Sequence, residues 1–107
     1  MKGLLYIEDE KLGEVEFKVI GRGMGAIGGE LNVYPAYEKY RNKIQSLYEE
    51  RGIANVDDFN FVIVLEDNTV LNPAGGVGVT DSAEFEEIYV ESAGIDYRII
   101  ERIKDKG

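Results

Sequence analysis

Pro35-Ala36-Tyr37-Glu38-Lys39-Tyr40-Arg41-Asn42-Lys43-Ile44-Gln45-Ser46-Leu47-Tyr48-Glu49-Glu50-Arg51-Gly52 is the stretch that decides the fold. Tyr37, Tyr40, Ile44, Leu47 and Tyr48 recur at three- and four-residue spacings, so one helical face is apolar, while Glu38, Lys39, Arg41, Lys43, Glu49 and Glu50 cover the other. Proline suits the first turn, where its missing N–H is not needed, and Gly52 offers the left-handed stop. The spacing predicts one main helix over about Pro35 to Arg51.

On the N-terminal side, Leu4 to Glu8 reads as a short strand, with Gly13 helping to turn it after the polar stretch Glu8 to Lys11. In Glu14-Val15-Glu16-Phe17-Lys18-Val19 apolar residues alternate with charges, the period of a strand with one wet face. The two strands form an expected antiparallel hairpin, and Gly29 to Tyr34 alternates again as a third strand. On the C-terminal side, Asn55 with Asp58 is a capping pair sufficient for one helical turn. Phe61-Val62-Ile63-Val64-Leu65 is continuously apolar and rich in β-branching, which predicts a central strand covered on both faces, with Tyr40, Ile44 and Leu47 packed against it. Asp67-Asn68 turns the chain back into Thr69-Val70-Leu71. Asp81 with Glu84 repeats the capping pattern, and Ile88 to Val90 and Tyr97 to Ile100 read as two last strands, after which Lys104 to Gly107 is expected to fray. Strands, one helix, then strands describe an α+β fold, a mostly antiparallel sheet with the helix on one face, in a single domain over residues 1–107.

Charge is the informative global property: 12 Lys+Arg against 21 Asp+Glu give a formal net of -9. From Gly52 to Tyr97 there is no Lys or Arg, while Asp57, Asp58, Glu66, Asp67, Asp81, Glu84, Glu86, Glu87, Glu91 and Asp96 all fall there. Such a chain repels nucleic acid and anionic membrane. The acidic half reads either as a solvated surface serving solubility or as a surface shaped to meet a cationic partner, since segregated charge raises association rate and specificity. Absence of cysteine excludes a disulfide-dependent scaffold. The apolar run at the N-terminus is too short for a signal segment, and the expected address is cytoplasmic.

Gly23-Met24-Gly25-Ala26-Ile27-Gly28 formally matches G-x-G-x-x-G, but a pyrophosphate cradle needs its last glycine to open a helix. Here an extended segment follows, so the glycines read as a loop or bulged strand; Gly75-Gly76-Val77-Gly78 reads as a loop too. With neither histidine nor cysteine, the Ser-His and Cys-His nucleophile systems and all thiolate or imidazole metal sites are excluded. Carboxylates remain, yet nothing in the pattern sets two of them across a cleft, and no stretch follows EF-hand spacing. The reading is therefore of a non-enzyme with no cofactor and no metal.

In overall type (about a hundred residues, no cysteine, one α+β domain, surplus acid) the chain resembles the small acidic bacterial immunity proteins that neutralise a co-produced toxin. That resemblance implies a binding protein that blocks a basic partner, such as a toxin nuclease, by offering carboxylates where phosphates would sit. The expected partner-binding residues are Glu66, Asp67, Asp81, Glu84, Glu86 and Glu87. Two alternatives stand beside it: a small-ligand or metal-binding carrier or enzyme using the glycine-rich loop, and a structural or oligomerisation module.

Overall fold

A computed structural model describes residues 1–106. The expected α+β class holds: eight strands form one curled antiparallel sheet, with one main helix and a shorter C-terminal one. The strands are β1 (Lys2–Ile7), β2 (Glu10–Glu16), β3 (Lys18–Gly21), β4 (Ala26–Val33), β5 (Ala54–Asn55), β6 (Phe61–Leu65), β7 (Val77–Asp81) and β8 (Ile88–Ser92). Their order is β5-β7-β8-β4-β2-β1-β6, with β3 also paired to β4.

The hairpin of β1 and β2 forms, but its turn is at Glu8 and Asp9, with Glu8 in the left-handed region, Gly13 lies within β2, and the expected strand Glu14 to Val19 is broken at Phe17, its last two residues opening β3 beside β4. Gly13 and Gly29 have a different use. A Cβ at Gly13 would stand 2.4 Å from the Asn32 carbonyl oxygen, and one at Gly29 would stand 2.4 Å from that of Glu16. Where β2 and β4 pair, only glycine allows the strands to bend this closely, and the curl follows from it. The side chains of Leu5, Leu12, Val15, Phe17, Ile27, Ile63 and Val79 are fully buried in one hydrophobic core.

Pro35 to Tyr37 forms a 3-10 turn that leads into α1 (Glu38–Arg51), and Gly52 closes the helix at φ 84°. Ile44 is fully buried, with Tyr40 and Leu47 partly buried beside it, so the apolar face is the one read from the sequence. Its partner differs. The helix lies against β7 and β5 at one end of the strand order, whereas β6 occupies the other end. β6 is accordingly not central: its side chains alternate between buried and half-buried, and beyond it lies only the bridge from Val64 to Val70. A continuous apolar run suggested two covered faces, but Val62 and Val64 are only partly covered.

The capped turn α2 (Val56–Phe59) forms with both hydrogen bonds of its capping box, Asp57 N–H to Asn55 Oδ1 at 2.9 Å and Asn55 N–H to Asp58 Oδ2 at 3.0 Å. Two further expectations are corrected. Gly78, read as loop, belongs to β7, and Tyr97 to Ile100, read as strand, opens the helix α3 (Tyr97–Lys106). Asp96 starts that helix by accepting the Arg98 N–H at 2.8 Å, and Ile100 and Ile103, one helical turn apart, are buried beneath it. The four residues Tyr97 to Ile100, three of them apolar and one an arginine, are too short a window to reveal this period. Fraying was expected from Lys104; the helix continues to Lys106, and Gly107 lies outside the described residues. Gly28 and Gly29 sit inside β4, so strand, not helix, follows the G-x-G-x-x-G match. Among the described residues no helix is long and apolar enough to cross a membrane.

Seven carboxylates, those of Glu16, Glu38, Asp58, Asp67 and Asp96 at exposed positions and those of Glu10 and Glu101 at half-buried ones, are held below their ordinary pKa by hydrogen bonds: from Lys39 for Glu10, from Arg51 for Asp58, from Thr69 for Asp67. Depressed acids contribute stability above their unfolded values, 4.5 for Glu and 3.8 for Asp, and lose it as pH falls through the lower folded values. Urea unfolding is therefore expected to show falling stability below about pH 4.5, with a smaller loss in high salt because exposed pairs are screened. Equal unfolding midpoints at pH 7 and pH 3 would contradict it.

Candidate partner-binding site

Asp81 ends β7 and Ile88 begins β8, and these two residues are register partners at the base of a hairpin whose tip is Ser82 to Glu87. The base is buried: Asp81 is 1% exposed, Ser82 9% and Ile88 4%. Expected as a surface acid and helix cap, Asp81 instead points inward. It accepts hydrogen bonds from the Tyr37 hydroxyl at 2.6 Å and from Gln45 Nε2 at 3.2 Å, and the Arg41 guanidinium stands 3.9 Å away. Arg41 also lies over the Tyr37 ring, 5.1 Å from its centroid, and pairs with Glu38 at 2.8 Å. Burial, and then the bond to Asp81, pushes the Tyr37 phenol far above its ordinary pKa, so it remains a donor. Three residues, Tyr37 from the turn before α1 and Arg41 and Gln45 from α1 itself, thus fix the root of the tip. The sequence reading missed them because Tyr37 and Gln45 are distant from Asp81 along the chain.

The local cap belongs to Ser82. Its Oγ accepts the Glu84 N–H at 3.2 Å and its carbonyl accepts the Phe85 N–H at 3.1 Å, a serine turn rather than a helical one. Residues Ala83 to Glu87 are all exposed, and the Phe85 ring is 63% exposed between Glu84 and Glu86. Among the described residues no cation lies within ion-pair distance of Glu84, Glu86 or Glu87, whose nearest basic residue along the sequence is Arg98.

The other acids divide differently from the sequence expectation. Arg51 pairs with Asp58, Arg102 with Asp67 and Arg98 with Asp96, so folding returns cations to part of the acidic half. Glu66 and Asp67 follow the end of β6 that carries the Gly3–Leu65 pair, whereas the hairpin tip leaves the sheet in the opposite direction along the strands. The structure therefore groups Glu84, Glu86 and Glu87, and separates Glu66 and Asp67 from them. Phe85 was not among the expected site residues. Its signal was present, an aromatic ring set directly between acids, Glu84 before it and Glu86 and Glu87 after it. No family model, no curated protein and no solved structure matches this chain.

Proposed function

We propose that the chain is a non-catalytic acidic binding protein that docks a basic protein partner on the β7–β8 tip. The role that fits best is that of an immunity or inhibitor protein covering the cationic active surface of a partner such as a toxin nuclease. One observation carries the reading: an exposed phenylalanine set among three glutamates that have no ion-pair partner among the described residues, on a tip whose root is buried and hydrogen-bonded. Interface anchors are aromatic side chains at the centre of a patch, and surrounding charge selects the partner and steers its approach. Carboxylates spaced along a loop present to a nuclease groove the charge that a phosphate backbone would present. A root held by Asp81 fixes where the loop leaves the sheet, which reduces the ordering needed on binding.

The test is retention of protein from the native host's lysate on the immobilised chain at low and high salt, beside the Phe85→Ala variant. A basic protein, released by salt and bound about tenfold or more weakly by the variant, is the expected result, since loss of an anchor ring costs at least this much. Retained proteins that are acidic or neutral, or equal retention by the variant, would count against it.

A further inference from the structure

The outward face of the same hairpin carries a second feature. Glu91 projects from β8, and its register partners on both sides are glycines, Gly78 in β7 and Gly28 in β4. On the β4 side the Tyr89 ring lies over Gly28, its hydroxyl 2.6 Å from where a Cβ would stand, so the carboxylate is open toward β7, where Gly78 has no Cβ. Over the β7 side runs Ile53, whose Cδ1 would stand 2.4 Å from a Cβ at Gly78. From the flank beyond β4 come Ile20 and Met24, 51% and 71% exposed. Together these residues, with Val56 and the acidic Asp57, line a groove of about 400 Å³ that opens to solvent, floored by the backbone of Gly76 to Gly78 and by Glu91. Among the described residues no cation pairs with Glu91.

We infer that this groove receives a lysine or arginine side chain of the protein partner. Apolar walls suit the methylene stem of such a side chain, and the carboxylate in the floor suits its head. An apolar occupant would cover Glu91 without neutralising it, and an acidic one would be repelled. Arginine fits better than lysine, because its fork can meet the carboxylate with two hydrogen bonds and its weaker hydration lowers the cost of entering an apolar wall. From Glu87 to Glu91 along the strand is roughly 14 Å, so one extended basic segment can reach both the tip and the groove. The inference rests on the basic-partner reading and adds a second contact to it.

The probe is N-acetyl-arginine methylamide, titrated into labelled protein while backbone amide shifts are followed, with N-acetyl-norleucine methylamide as the uncharged control. Shifts are expected at Gly76, Gly78 and Glu91 with the arginine probe. Binding is expected to weaken about fivefold in Glu91→Gln, the upper range for a partly exposed ion pair. Met24→Ala, at an exposed position that should fold normally, also weakens it. Absence of shifts at these amides, an equal response to the norleucine probe, or wild-type binding by Glu91→Gln overturns the inference. Glu84, Glu86 and Glu87 changed to Lys should leave the arginine titration intact. If the groove responds but the partner binds that triple variant as well as wild type, the tip reading fails and the groove stands.

Discussion

Asp81→Ala is expected to lower the unfolding free energy by about 2 to 4 kcal/mol, within the range for losing hydrogen bonds to a buried charge. The carboxylate accepts from Tyr37 and Gln45, and its removal leaves a fully buried hydroxyl with no acceptor and a part-buried amide with one fewer. Arg41 contributes less, because at 3.9 Å and partly exposed its attraction is screened. Asp81→Asn retains an acceptor of nearly the same shape and should lose less than half as much. Tyr37→Phe removes the other partner, so the double variant with Asp81→Ala should be less destabilised than the two single losses added together. Chemical unfolding of the four variants measures this cycle. Simple additivity would show that the hydroxyl and the carboxylate do not depend on each other.

Changing Glu84, Glu86 and Glu87 together to Lys is expected to slow association with a basic partner by about ten- to a hundredfold at low salt, the scale over which steering alters encounter rates. The melting temperature should hardly change or should rise, since all three are exposed and no ion pair among the described residues is lost. Glu49 and Glu50, exposed near the end of α1, are the suitable controls. Glu38 is not, because its guanidinium partner Arg41 also neighbours Asp81. Stopped-flow association at two salt concentrations separates the cases. Equal slowing by tip and control reversals would mean that net charge acts without a localised face.

Local signals were the legible ones. The period of α1, the capping pair Asn55 and Asp58, the β1–β2 hairpin and the alternation of β2 could all be read because each depends on neighbours within a turn or a strand. What the chain kept hidden depends on distant pairing. β6 looked central from its apolarity, yet strand order is fixed by which edges meet, and a five-residue run carries no record of that. The C-terminal helix was hidden because Ile99-Ile100 suits either period until Ile103 and the Asp96 cap are weighed with it. At the candidate site, the anionic density from Glu84 to Glu87 was legible, whereas the inward turn of Asp81 and the pairing of Asp67 with Arg102 were not. Charge counted along a chain treats every acid as free; folding decides which ones find cations.

The close approach at Gly13 and Gly29 sets a limit of another kind. Most substitutions in a core are absorbed by neighbours that change rotamer and share out the volume, so composition can drift while shape persists. Where a main-chain carbonyl occupies the place of a Cβ, there is no rotamer to change, and even the smallest side chain must move a whole strand. In a randomised library these two positions would stand out as columns of a single letter beside a freely varying interior. Tolerance to sequence change is bounded by the curvature of the sheet at this seam more than by the hydrophobic content of what the sheet encloses.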